Sequence, residues 1–213
     1  MLKFDPGPQE SLASAVFYDV EPFVLGEPEH CKLCNRPIRP SHRLPPLRYE
    51  IEVEGKCVGD ILFGPGAGIL VSARFKNEFC SAGLKGISDF RITEIVHLKK
   101  GKKIFPPASE FFQITILRTG RINIKESGLE ELPNCNACLR SKDFKRIRRV
   151  VLETSSWGDA DIFIPFGTLT TVLTSRKFRD FCVEKEISNA IFIPAENFSK
   201  EFFPWEENSI PQK

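Results

Sequence analysis

The chain has 213 residues, 41% hydrophobic and 27% charged, with a net charge of +2. That is enough apolar material for one large domain or two small ones, and the near balance of charge gives no general bias toward nucleic acid. No apolar run approaches the ~20 residues of a membrane-spanning helix, and Met1-Leu2-Lys3-Phe4-Asp5-Pro6 lacks the apolar stretch of a secretory signal, so the expectation is a cytoplasmic protein.

In chain order, Val16, Tyr18 and Val20 alternate and predict a short strand, ended by Pro22 and Gly26. Cys31-Lys32-Leu33-Cys34 follows, then a rigid loop with Pro37, Pro40, Pro45 and Pro46. Leu47, Tyr49, Ile51 and Val53 alternate with Arg48, Glu50, Glu52 and Glu54, which predicts a strand with one face buried and one wet. Asp60-Ile61-Leu62-Phe63 reads as a strand closed by Gly64-Pro65-Gly66-Ala67-Gly68. Over 69–82 the period becomes helical, with Ile69, Ser72, Phe75, Phe79 and Ala82 on one face and Gly83 as the C-terminal cap. Phe90 to Leu98 predicts a strand, Lys99 to Lys103 a solvated turn, and Phe111 to Leu117 a strand that turns at Thr119-Gly120 into Arg121-Ile122-Asn123-Ile124. After Cys135-Asn136-Ala137-Cys138 come strands at Ile147 to Glu153 and Asp161 to Ile164, a helix over 169–185 and a strand at Ala190 to Ile193.

The two CxxC segments carry the chemistry. A CxxC turn presents two thiolates to one ion, and two such turns supply the four soft ligands of a tetrahedral structural zinc site. About 100 residues separate the pairs, so a shared ion would pin distant parts of the fold together. An odd total of seven cysteines, two pairs of them at this spacing, suits metal in a reducing compartment better than a disulfide framework. A redox CxxC is the competing reading, although such motifs usually come singly.

The two halves also resemble one another. Ile69-Leu70-Val71-Ser72-Ala73-Arg74-Phe75-Lys76-Asn77 aligns with Val172-Leu173-Thr174-Ser175-Arg176-Lys177-Phe178-Arg179-Asp180, and Asp60-Ile61-Leu62 with Asp161-Ile162-Phe163. The expected fold is α+β: one domain over 1–213, with repeat units at about 26–98 and 130–198, each sheet plus helix, and a strand hairpin at 110–125 between them. The four-cysteine zinc site would join the units.

At these residues the chain resembles the bacterial double-CxxCG-motif proteins, over roughly 26–198. Cys31 to Cys34, Phe63-Gly64-Pro65 through Phe90, Cys135 to Cys138, and Phe166-Gly167 through Phe192 carry the likeness. The resemblance implies an immunity protein of a polymorphic toxin system, a non-enzymatic cytoplasmic antidote that binds a cognate toxin. The family has Gly after each second Cys; here Asn35 and Leu139 stand there. Asn tolerates left-handed backbone and Leu does so poorly, which predicts a different geometry for the second turn.

Other candidates are weaker. His30 adjoins Cys31 but is superfluous beside four thiolates; His42 and His97 have no nucleophile nearby in sequence. Cys80 and Cys182 fall in matching helices and, with Cys57, read as small buried hydrophobes. The glycine-rich 64–68 lacks the Lys-Ser/Thr of a phosphate loop and reads as a tight turn. Lys142, Lys145, Arg146, Arg148 and Arg149 form a basic run after the second CxxC; with the cysteines they support an alternative, a zinc-ribbon nucleic-acid-binding regulator. Glu50, Glu52 and Glu54 form a carboxylate stripe, either plain solvation or a docking surface for a basic toxin.

Overall fold

The structure is a computed structural model and describes residues 2–3, 15–39, 41–55, 57–65, 68–106, 110–128, 135–139, 149–168 and 170–198. The first strands are β1 (Leu2–Lys3), β2 (Ala15–Asp19), β3 (Val24–Leu25), β4 (Arg43–Leu44), β5 (Arg48–Val53), β6 (Ile61–Phe63) and β7 (Ile69–Ser72), followed by α1 (Ala73–Ser81). Then come β8 (Ile87–Ile92), β9 (Glu94–Lys100), β10 (Lys103–Phe105), β11 (Phe111–Ile116), β12 (Arg118–Arg121), β13 (Ile162–Phe166), β14 (Leu173–Thr174), α2 (Arg176–Glu184) and β15 (Ile191–Phe192). Neither helix is long and apolar enough to cross a membrane.

Among the described residues the main sheet has eight strands in the order β10-β9-β5-β2-β6-β7-β11-β8, and β12-β13-β14 form a smaller one. The main sheet curls because β8 runs into β9 through one residue, Thr93. Thr93 N donates to Phe111 O (3.1 Å) beside β8's partner, while Glu94 N donates to Leu47 O (2.8 Å) beside β9's partner. Inside the curl, Ala15, Phe17, Tyr49, Ile51, Leu62, Leu70, Ile95 and Phe111 form one core. The far face of β6, β7 and β11 meets both helices in a second core around Phe75, Phe79, Phe178 and Phe181.

This double burial explains the helix boundaries. The expected helix over 69–82 begins four residues late, because Ile69–Ser72 is a strand buried on both faces and such strands show no alternation. Ser72 is the N-cap, its Oγ accepting from Phe75 N at 3.1 Å. Likewise the expected 169–185 is a strand, then Ser175 as cap, then Arg176–Glu184. The Gly83 cap is as expected: at φ +60°, with Gly83 N donating to Cys80 O and Leu84 N to Phe79 O. Leu47, Tyr49, Ile51 and Val53 all point inward at 5% exposure or less. On β2, Ala15 and Phe17 point inward and Tyr18 outward, since register sets Phe17 opposite Ile51 and Tyr18 opposite Glu50.

The expected hairpin at 110–125 is absent. β11 pairs with β7 and β8, and β12 pairs in parallel with β13. Gly120 sits inside β12 with φ +78°, where a Cβ would meet Phe163 and Trp157 at about 3 Å; it allows close packing and does not turn the chain. The expected strand 90–98 is two strands meeting at Thr93, and of the expected strand 147–153 the described part contributes an isolated bridge, Leu152 to Ile122.

One hydrogen-bond pattern occurs twice. Asp60 accepts from Ser72 Oγ (2.7 Å), and Asp161 accepts from Ser175 Oγ (2.8 Å). Ser72 N donates to Asp60 O, and Ser175 N to Asp161 O. Each carboxylate then reaches past the other helix: Asp60 Oδ2 accepts from Ser188 N (3.0 Å) after α2, and Asp161 Oδ2 from Lys85 N (3.0 Å) after α1. The correspondence is local. The eight-stranded sheet takes its strands from 15–116, and the three-stranded sheet from 118–174.

Burial pushes the Asp60 carboxyl up, but hydrogen bonds from Arg74, Ser188 and Ser72 outweigh it and hold the group below its ordinary 3.8. Its stabilising contribution is therefore full above that value and lost as pH falls below it. Asp60→Ala should cost about 3 kcal/mol at pH 7 by chemical denaturation, because several buried donors lose their acceptor. The gap from wild type should narrow in acid.

Candidate metal centre

Both cysteine turns are built alike. Asn35 N donates to Cys31 O and Leu139 N to Cys135 O, each at 2.9 Å, and Asn35 and Leu139 share a left-handed φ of +54°. The expectation that Leu139 would give the second turn a different geometry is therefore corrected. A left-handed Leu costs roughly 1–2 kcal/mol, but its side chain is only 3% exposed, and burying a leucine returns about 2 kcal/mol. Burial wins over strain.

The elements around each turn hold it in place. Before and after the first, His30 bridges to Pro37, Cys31 N donates to Arg36 O (2.8 Å) and Ile38 N to Glu29 O (2.7 Å). The second is held by Arg121 at the end of β12. Arg121 donates through Nη2 to Asn136 O (2.7 Å), through Nη1 to Ala137 O (3.3 Å) and through Nε to Glu153 Oε2 (3.1 Å). Sequence gives no cue to Arg121, which reaches the turn from a strand some fifteen residues earlier.

The turns meet across 104 residues of chain, with Cys31 Sγ 3.8 Å from Cys135 Sγ and Cys34 Sγ 3.6 Å from Cys138 Sγ. All four sulfurs lie within 4.8 Å of one another. A tetrahedral shell with metal–sulfur bonds of about 2.3 Å has sulfurs about 3.8 Å apart, so the donor set fits one thiophilic ion. Disulfide bonding would need about 2.05 Å. Cys31, Cys135 and Cys138 are buried, with Ile38 and Ala137 packed against them. Backbone N–H groups favour the thiolates: those of Cys34 and Leu33 lower Cys31, and those of Cys138 and Ala137 pull Cys135 from 9.0 to about 6. The backbone around the turns thus favours the thiolate, the form that ligates a metal ion.

The remaining candidates lie elsewhere. His30, His42 and His97 are exposed and outside the cluster. Cys182 is buried, and burial pushes its thiol up to about 12. Cys57 and Cys80 are exposed, contrary to the expectation of buried hydrophobes; the α1 face carrying Cys80 points away from Phe75 and Phe79. Glu52 and Glu54 are exposed, whereas Glu50 pairs with Lys99 at 2.7 Å. Lys142, Lys145, Arg146, Arg148, Gly66 and Ala67 lie outside the described residues, and Arg149 donates to Glu126 O at 2.9 Å. The chain matches no protein-family model and no curated protein.

The strain argument separates the two turns experimentally. Asn35 is exposed, so Asn35→Gly should leave stability unchanged or raise it by about 0.5 kcal/mol, and Asn35→Val should lower it by about 1–2 kcal/mol. Leu139→Gly should be destabilising by about 1–3 kcal/mol despite relaxing the backbone. Denaturant midpoints of the three variants check this.

Proposed function

We propose that the protein is a non-enzymatic cytoplasmic immunity protein that binds and neutralises a cognate toxin domain, stapled by one structural zinc ion. The observation that carries the metal assignment is the four-sulfur cluster of Cys31, Cys34, Cys135 and Cys138. Four thiolates complete a tetrahedral zinc shell and leave no position for substrate or water, so such an ion acts on stability and not on chemistry. The toxin-binding part rests on the resemblance to double-CxxCG-motif proteins. On this reading the chain is two related units sharing one ion. The like turns, the serine caps and the crossed Asp60 and Asp161 support it. Glu50 and Glu52 on the outer face of β5, with Glu54 just past its end, are the proposed steering stripe, with Lys99 partly offsetting Glu50.

A second reading, a zinc-ribbon nucleic-acid-binding regulator, is favoured by the pairing of two like cysteine turns with the basic run from Lys142 to Arg149. Nucleic-acid affinity that falls steeply with salt would support it over the first.

For the metal, Cys31→Ser and Cys135→Ser should each release zinc and lower stability by similar amounts, on the order of several kcal/mol, and the double variant should cost little more than either. Elemental analysis of reduced, chelator-free protein should give one zinc per chain. Additive losses, or a ratio near zero or two, would sink the shared site.

For the function, co-expression with the toxin domain encoded next to this gene should rescue growth and give a stoichiometric complex on gel filtration. Replacing Glu50, Glu52 and Glu54 together with Gln should slow association and flatten its salt dependence, with the melting temperature nearly unchanged. Unimpaired killing with no complex would overturn the immunity reading.

A further inference from the structure

Where the ends of β2, β5, β8 and β11 converge, the fold leaves a cavity of about 500 Å³, a size typical of small-molecule sites. Phe17, Tyr49, Arg91, Gln113 and Ile114 contribute to its lining. Tyr49 is 1% exposed and packs edge-on against Phe17, with ring centroids 5.0 Å apart. Tyr49 is one of the lining residues, and its hydroxyl, sealed from bulk solvent, hydrogen-bonds to no described residue. A buried polar group left so is rare, because it forfeits its hydration without replacement.

Arg91 shows the same imbalance. Its Nη1 donates to Arg43 O (2.9 Å) and its Nη2 to Gln113 Oε1 (2.8 Å). Both acceptors are neutral, and they fix the guanidinium. Its Nε is buried and makes no hydrogen bond among the described residues; the Asp89 carboxylate stands 3.6 Å away. Arg43 is already matched, donating through Nε and Nη2 to the two oxygens of Asp19 at 2.7 and 2.5 Å. It forms a fixed wall and leaves the unmet demand with Tyr49 and Arg91. Burial, with the Asp19 charge, pushes the Tyr49 hydroxyl up to about 12, so it stays a donor at neutral pH. Two lining residues thus carry a buried donor without a hydrogen-bond acceptor among the described residues, Tyr49 and the permanently charged Arg91 beside Asp89, next to Phe17 and Ile114.

We propose that this cavity binds a small organic anion, a carboxylate or phosphate whose oxygens accept from the Tyr49 hydroxyl and Arg91 Nε–H while its apolar part rests on Phe17 and Ile114. The site does not depend on the immunity reading or on the metal. It also gives Tyr49 a signature that a purely structural residue would lack. Phe at that position keeps the packing and removes the unpaired hydroxyl, so it should stabilise the anion-free protein and abolish the benefit of the anion.

The test uses the full reduced chain with its metal, at constant ionic strength set with chloride. Sodium phosphate and sodium succinate are the probes, read by thermal unfolding and by titration calorimetry. The expected result is saturable one-to-one binding of one probe, with phosphate and succinate distinguishing the two oxyanion classes. Arg91→Gln and Tyr49→Phe should each weaken that binding about tenfold or more, and Tyr49→Phe should melt higher than wild type in chloride alone. Three results would overturn the proposal: neither probe binding above the chloride control, affinity unchanged in both variants, or Tyr49→Phe melting lower than wild type without anion.

Discussion

Asp60 and Asp161 hold the two helical segments in register. Each carboxylate anchors the serine that caps its own helix and accepts a backbone N–H from the segment following the other helix. Each is 7% exposed or less, and a carboxylate at that depth must be matched closely, since losing a partner costs more than the pair contributes. The aromatic core between the helices fills the space this arrangement leaves. Phe75 and Phe178, one residue type at corresponding places, stand 6.3 Å apart at 60°, within the range of favourable edge contacts. The carboxylates supply direction and the phenylalanines supply area; neither alone would fix the crossing.

Four positions show how differently the earlier and later parts of the chain meet one backbone demand. Left-handed residues follow the cysteine turns at Asn35 and Leu139 and the helices at Gly83 and Glu186. The earlier half uses Asn and Gly, which tolerate that region at little cost. The later half uses Leu and Glu, which do not. Their conformation is imposed by tertiary structure: Glu186 N and Ile187 N close the helix end on Val183 O and Cys182 O, and Leu139 is anchored by burial. Local preference and global fold agree in one half and conflict in the other, so the later segments rely on the finished structure more heavily.

The sequence was most informative where chemistry forces a pattern. CxxC spacing marked all four sulfurs that meet, the alternation of Leu47 to Val53 marked a strand whose inner face is sealed, and Gly83 marked a helix end. It misled where an element is buried on two sides. Ile69 to Ser72 packs against both cores, and a run without alternation reads equally as helix or strand. It misled again at 110–125, where two adjacent strands join different sheets; pairing partners distant in sequence leave no local trace. Arg121 reaches the second cysteine turn from the smaller sheet, and Tyr49 and Arg91 are brought to one cavity by the curl of the main sheet. Their spacing carries no motif.

The separation of the two cysteine turns has a consequence for biosynthesis. The strands of the main sheet are all present once Ile116 has been made, and the first cysteine pair precedes most of them. The second pair follows the first by 104 residues, which at ordinary translation speeds is on the order of 5–20 s. Through that interval the nascent chain offers only two of the cluster's four thiols, too few to close a tetrahedral shell. An ion held by all four cysteines could therefore be captured only when the later turn has emerged and docked, and it would mark a chain whose early and late segments have found each other.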